Sequence, residues 1–338
     1  MTTMRAWVVH HPGPVDASSL RLVERPVPVP GPGETLVSVE ACGVCRTDLH
    51  LVEGDLPPRH REVVPGHQVV GTVLANGPGT TRFRPGDRVG IAWLRSTCGE
   101  CRWCRTGREN LCPSSTYTGW DADGGFAEYA VVPAAFAYPA PPGVPAEQVA
   151  PLLCAGIIGY RALLRTELPP GGRLGIYGFG SSAHLTAQVA LAQGAELFVM
   201  TRGEQSRDLA RHLGATWVDG PESTPPALLD AAIVFAPAGT LVPVALAAVD
   251  RGGTVVLAGI HMSEVPAMDY QRHLFRERDL RSVTANTRRD GEELLRLARR
   301  LDVRAHVTPY PFEQADTALL DLAQDRCRGS AVLVMHPS

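Results

Sequence analysis

The 338-residue chain contains no lysine: all 32 of its basic side chains are arginines, set against 35 acidic ones for a formal charge of −3. Schiff-base and pyridoxal-phosphate chemistry need a lysine amine, and a P-loop needs a lysine on its phosphates, so those mechanisms are excluded. A basic run is missing too, and scattered arginines at near-neutral balance give little electrostatic footprint for nucleic acid or an anionic membrane. Neither partner is expected. No stretch reaches the roughly 20 consecutive apolar residues of a transmembrane helix. The opening MTTMRAWVVHHPG has no apolar stretch long enough for a signal peptide, so a cytoplasmic protein is expected. There is no internal repeat and no disordered tail, and the length suits two domains around separate cores.

Cysteine, by contrast, is present eight times, and a cytosolic chain does not hold clustered thiols as a disulfide framework. Cys98, Cys101, Cys104 and Cys112 form the run CGECRWCRTGRENLC, within a lobe of about residues 95–113. Three thiolates three residues apart, with a fourth one short loop later, can surround one tetrahedral Zn²⁺. Four thiolates leave no open coordination position, so the expected role is structural.

Patterning divides the chain. Early on, short alternating runs at 35–41, 69–74 and 88–92 read as strands broken by Pro/Gly turns such as PVPVPGPGE and FRPGDRV, indicating a β-rich domain. After about residue 155, apolar runs at 174–177, 197–200, 216–218, 231–235, 254–258 and 281–285 alternate with helix-period segments such as 183–193 and 205–213. That alternation predicts a doubly wound parallel sheet of six strands. The chain closes with helices at 290–301 and 314–325 and a strand at 331–335, expected to return to the first domain.

Directly after the run at 174–177 stands Gly178-Phe179-Gly180-Ser181-Ser182-Ala183, a G-x-G-x-x-A loop opening a helix. Its first glycine permits a tight turn, its second lets the backbone approach a pyrophosphate, and its small last residue allows close helix–strand packing. An NAD site would carry an acid at the end of the next strand to bind the ribose 2′-hydroxyl. Here Thr201 and Arg202 stand instead, followed by Arg207, a set suited to a 2′-phosphate and so to NADP(H), unless Glu204 fills the acidic role.

With GVCRTDLH at 43–50, PGHQVVG at 65–71, the four-cysteine lobe, PLLCAGIIGY at 151–160 and the dinucleotide loop in that order, the chain resembles the zinc-dependent alcohol dehydrogenases of the medium-chain dehydrogenase/reductase superfamily over nearly its whole length. The resemblance implies an α/β two-domain fold. A GroES-like catalytic domain would take residues 1–153 and 289–338, a Rossmann domain 154–288, and the active site the cleft between them. It makes Cys45, His67 and Cys154 the three protein ligands of a catalytic zinc, the second of two per chain. Two thiolates and a neutral imidazole balance the metal charge and leave a fourth position open for Lewis-acid chemistry, with hydride passing to or from the nicotinamide. By the same resemblance Thr47 takes the substrate proton, His50 relays it to solvent, and Asp48 orients His67. Trp93 lines the substrate pocket, with Trp120 a further candidate, and Arg288 contacts the pyrophosphate. Two positions depart from the family pattern: Gln68 replaces a glutamate and Ile158 a threonine. Cys42 and Cys327 match no ligand position. The implied activity is oxidation of small alcohols or reduction of aldehydes and ketones by a homodimer or homotetramer. Alternatives are a biosynthetic reductase of an iminium or activated alkene, and a structural or regulatory protein with a vestigial site.

Overall fold

Strand Glu34–Val44 is the spine of the β-rich half. One of its edges pairs antiparallel with Gln68–Asn76 along nearly its full length. The other is shared, Tyr129–Pro133 pairing with its first half and Ser330–Val334 with its second. The sheet runs Val307–Pro311, Ser330–Val334, Glu34–Val44, Gln68–Asn76, Arg88–Ile91, Ala137–Pro139. Side chains alternate across it, and Val37, Val39, Val69, Val73, Phe126 and Leu333 make one apolar core, none more than 3% exposed. Each such burial is worth about 1.5–3 kcal/mol. A separate hairpin, Thr3–Val9 with Leu20–Pro26, packs into the same core, and the Trp7 indole donates to the Phe312 carbonyl at 2.9 Å.

The other half is a parallel sheet in the order Trp217–Asp219, Glu196–Met200, Arg173–Tyr177, Leu229–Val234, Val249–Leu257, Asp279–Ser282. This is the Rossmann arrangement, with the order reversing between Arg173–Tyr177 and Leu229–Val234, the kind of switch point at which doubly wound sheets open a crevice at their strand ends. Buried on both faces, its central strands are continuously apolar: Leu174, Ile176, Leu197, Val199 and Ile233 are fully buried. The last strand spans Asp279–Ser282 rather than residues 281–285, because register with Thr254–Leu257 ends at Ser282 and Ala285 turns at φ 47°.

The computed structural model describes residues 2–16 and 18–335. The chain divides into Met1–Cys154 with Ala285–Arg296 and Ala305–Ser338, and Ala155–Thr284 with Leu297–Arg304. The stretch Leu297–Arg304 therefore goes with the parallel-sheet unit. The Gln188 amide holds it there, donating to the Arg304 carbonyl at 2.9 Å and accepting from its N–H at 2.9 Å. No single helix among the described residues is long and apolar enough to cross a membrane.

Candidate active site and metal centres

Four thiols converge in the lobe because its backbone turns sharply. Strands Leu94–Ser96 and Thr116–Tyr117 close its base. A single helical turn, Arg102–Arg105, brings Cys101 and Cys104 to 3.6 Å, while Cys98 lies 3.6 Å from Cys112 and 4.0 Å from Cys104. Sulfurs at about 2.3 Å from a tetrahedral metal stand about 3.8 Å apart, so the donor set fits Zn²⁺. Backbone N–H groups of Glu100 and Cys101 push the Cys98 thiol down to about 7, favouring the thiolate a metal needs. Glu109 in the same lobe is 8% exposed and takes three donors from Arg288: the backbone N–H at 2.8 Å, Nε at 3.0 Å and Nη2 at 2.6 Å.

A second donor set sits at the sheet end. Cys45 precedes helix Arg46–Glu53, His67 precedes strand Gln68–Asn76, and Cys154 follows the 3₁₀ turn Ala150–Leu153. His67 Nε2 lies 3.4 Å from Cys45 Sγ and 3.3 Å from Cys154 Sγ, distances suited to one tetrahedral ion. Gly66 permits this approach: its φ is +94°, and a Cβ there would fall 2.4 Å from the Phe126 ring. Burial works against charging His67, but Cys45 and Asp48 outweigh it and push the imidazole up to about 10. Hydrogen bonding to Cys154 and burial both raise the Cys45 thiol. Two mutually close thiols beside a cation-favouring imidazole form a cluster that a divalent metal resolves by displacing the protons.

Asp48 is 2% exposed and locks this corner. One oxygen accepts from the Cys45 N–H at 2.9 Å; the other accepts from the Gly66 N–H at 3.0 Å and stands 3.5 Å from His67 Nδ1. That last distance is an ion-pair contact rather than a hydrogen bond, and Nδ1 has no hydrogen-bond partner among the described residues. Gln68 is 2% exposed, its amide filling the space where a Cβ on Gly43 would come within 2.7 Å. Thr47 is half-buried on the first turn of the helix, and His50 Nδ1 meets Asp55 Oδ2 at 3.0 Å. Asp55 was not singled out by the sequence; only its position just past the helix-ending Gly54, φ +89°, hints at it. Trp93 touches the His67 ring, and Trp120 and Tyr117 stack with Trp93.

In the parallel-sheet unit, Gly178 has φ +85° and a Cβ there would clash with Ala236 at 2.9 Å. A Cβ on Gly180 would meet nothing within 4 Å, so open space stands before the helix Ser181–Ala192 that Gly180 caps, as a pyrophosphate requires. Ser181 and Ser182 begin that helix, and Ala183 is fully buried. Thr201 is already engaged: its hydroxyl accepts from the Phe179 N–H at 3.2 Å and donates to the Arg202 carbonyl at 3.3 Å. The Arg202 guanidinium is exposed with no partner among the described residues. Arg207 donates to the Thr201 carbonyl at 3.2 Å and lies 3.5 Å from Glu204, whose other oxygen holds Arg211 at 2.7 Å.

Residues 31–142 match the alcohol dehydrogenase GroES-like domain family, and residues 183–300 match the zinc-binding dehydrogenase family. A probable alcohol dehydrogenase, AdhA, of Mycobacterium tuberculosis (strain CDC 1551 / Oshkosh) is 58% identical, covering 98% of each chain. Among solved structures, a Sorghum bicolor cinnamyl alcohol dehydrogenase superposes with a TM-score of 0.89 at 27% identity over 100% of both chains. A cobalt- and zinc-bound thermostable alcohol dehydrogenase from Pyrobaculum aerophilum gives 0.88 at 28% identity, covering 98% of this chain and 100% of that one. The chain belongs to the zinc-dependent alcohol dehydrogenases of the medium-chain dehydrogenase/reductase superfamily. As a member it is an NAD(P)-dependent oxidoreductase.

Proposed function

We propose that this chain interconverts small alcohols with their aldehydes or ketones, using one catalytic and one structural Zn²⁺ and NADP(H) in preference to NAD(H). The observation that carries the reading is the contrast between its two donor sets. Four thiols complete a tetrahedron in the lobe, whereas two thiols and one imidazole leave a position open at Cys45, His67 and Cys154. A zinc ion held there supplies Lewis-acid polarisation of the substrate oxygen. Asp48 fixes the Cys45 backbone and faces His67, holding two ligands at once. Thr47 accepts the substrate proton, and His50 passes it on with its ring oriented by Asp55. Trp93 and Trp120 line the substrate pocket.

For the cofactor, Gly178, Gly180, Ser181, Ser182 and Ala183 receive the pyrophosphate at the helix N-terminus. Arg202 and Arg207 receive the 2′-phosphate, since Glu204 is turned onto Arg207 and Arg211. Arg288 reaches a pyrophosphate only by exchanging Glu109 for it. The reading includes a cytoplasmic homodimer or homotetramer, which fractionation and sedimentation test.

Metal analysis with a turnover screen tests the core of the proposal. Wild-type protein is expected to hold two zinc ions per chain, and Cys45→Ala or His67→Ala one. Both variants should lose turnover to background while cofactor still quenches or shifts protein fluorescence. Undiminished alcohol oxidation in either would refute the ligand assignment.

A further inference from the structure

The 338 residues carry no primary amine on any side chain, since every basic group is a guanidinium or an imidazole. Geometry accounts for some of the arginines. Arg88 spans two acceptors, donating from Nε to Glu40 at 2.8 Å and from Nη1 to the Val144 carbonyl at 2.6 Å, and Arg281 bridges Glu167, Asp279 and the Arg165 carbonyl. A lysine ammonium is a point donor and does not span such sets. Arg84, Arg251, Arg299 and Arg300 are different: each is exposed, and its guanidinium has no partner among the described residues. A lysine would carry the same charge there, so bonding does not explain the arginine.

Amines and guanidiniums part company in their chemistry toward carbonyls. A lysine amine adds to an aldehyde: the C–N bond forms, the carbonyl oxygen leaves as water with two amine protons, and an imine remains. A guanidinium stays protonated at any working pH and does not take this path. Thiols, the other strong nucleophiles, are withheld as well. Six of the eight belong to the two donor sets, Cys42 is fully buried, and Cys327 is half-buried with its Sγ 3.4 Å from the Tyr310 hydroxyl. Arg59 is the basic group most exposed to a departing carbonyl compound. Its guanidinium stands 3.7 Å from Asp121 and 4.5 Å over Trp120, the outermost of the rings that lead through Trp93 to His67. A lysine at that position would place an amine at the end of the row.

We propose that the amine-free surface adapts this chain to high concentrations of free aldehyde, and that small, unhindered aldehydes, the class that condenses most readily with amines, are what the Cys45, His67 and Cys154 site turns over. The inference rests on the dehydrogenase reading above and names the substrate class of that site.

The test exposes zinc-loaded enzyme to millimolar propanal with cyanoborohydride, which traps any imine as a stable alkylamine, then counts alkyl groups by intact mass and measures residual turnover. Wild type should take up alkyl groups at its α-amine alone and keep its activity. It should also reduce propanal with NADPH without time-dependent loss. The combined variant Arg84→Lys, Arg251→Lys, Arg299→Lys and Arg300→Lys should start at wild-type activity, gain adducts at the added amines and lose turnover several-fold faster. Arg59→Lys should lose turnover several-fold faster than Arg59→Gln, and faster loss in either lysine variant supports the proposal. Phenylglyoxal, which attacks guanidiniums, should inactivate wild type, so that the tolerance is specific to the missing amines. Adducts without faster loss in both lysine variants, equally fast loss in wild type, or resistance to phenylglyoxal as well would each overturn the proposal. So would failure to reduce propanal by an enzyme that reduces other carbonyl compounds. If no alcohol or aldehyde is turned over, the dehydrogenase reading fails and the substrate class with it. The cofactor-induced fluorescence change then reads the tolerance: it should survive propanal in wild type and fade in the lysine variants, and equal survival in all of them overturns that part too.

Discussion

Thr201 and Arg202 are neighbours at the end of strand Glu196–Met200, yet only the arginine is available to a ligand. The threonine hydroxyl is spent on the Phe179 N–H and the Arg202 carbonyl, so it staples the dinucleotide loop to the strand end. On the proposed reading, discrimination between cofactors then falls on the guanidiniums. Arg202→Ala should raise the KM for NADPH about tenfold or more while moving that for NADH little, since a charge-assisted hydrogen bond is worth about 1.5–3 kcal/mol. Equal effects on both cofactors, or a wild-type preference for NADH, would refute it. The same position shows how far residues can be read from sequence. The convergence of Cys45, His67 and Cys154 is legible because thiols and imidazoles stand in distinctive local motifs. Whether a hydroxyl is free or already bonded depends on a loop 22 residues away and is not written locally. Asp55 escaped notice for the same reason: an ordinary acid meets His50 only through what the fold places against it.

At the scale of elements, the helix Arg288–Leu301 is the most informative. Thr287 and Asp290 cap it reciprocally, at 2.8 and 3.2 Å, and its buried stripe of Leu294, Leu295 and Ala298 follows the helical period that made it predictable. Its glycine was not predictable. A Cβ on Gly291 would fall 2.5 Å from the ring of buried Tyr138, whose hydroxyl accepts from Asn286 at 3.1 Å. Gly291→Ala gains about 1 kcal/mol of helix propensity but overpacks a full core at about 1–3 kcal/mol, for a net loss of about 1 kcal/mol. Chemical denaturation should show that loss, and Tyr138→Leu in the same background should recover part of it. A more stable Gly291→Ala protein would show that the helix can shift. Elsewhere, strands carried by a β-branched apolar run, such as Gln68–Asn76, were legible. The hairpin Thr3–Val9 with Leu20–Pro26 was not, because no tight-turn signal joins its arms.

Glu109 ties that helix to the lobe, and the tie carries a pH dependence. Burial raises the Glu109 carboxyl, but hydrogen bonds from Arg288 outweigh this and hold it below its ordinary value. A carboxyl depressed in the folded state contributes stability above its unfolded pKa of about 4.3, lost as pH falls through the lower folded value. Glu109→Gln should therefore be less stable at pH 7 by about 2 kcal/mol and converge with wild type as the pH drops below about 4. Parallel stability curves across that window would show that the ion pair is not responsible.

For the whole molecule, the division into two units was legible because hydrophobic patterning switches from period-2 runs to alternating strands and helices. The finer boundary was not. Leu297–Arg304 leaves its helix's first half for the other unit through a hydrogen-bonded pair with Gln188 that no local signal announces. The lobe poses the reverse problem, a segment whose chemistry is obvious and whose packing is slight. Cys98 is exposed, Cys101 and Cys104 are half-buried, the helical turn Arg102–Arg105 buries no residue, and of the four thiols Cys112 alone is buried, so apolar burial adds little to holding the lobe together. On the proposed reading, the structural metal supplies its folding free energy. With the metal in place, Cys112 and Glu109 are fixed three residues apart, and Glu109 in turn fixes Arg288 at the start of the long helix. Losing one thiolate should therefore loosen more than the lobe. Cys101→Ser is expected to hold one zinc ion instead of two and to melt lower by on the order of 5–10 °C. Hydrogen exchange should rise at residues 288–292 as well as at 98–112. Two zinc ions and an unchanged melting temperature would overturn the structural assignment. Faster exchange confined to the lobe would show that the Glu109–Arg288 tie does not transmit the loss.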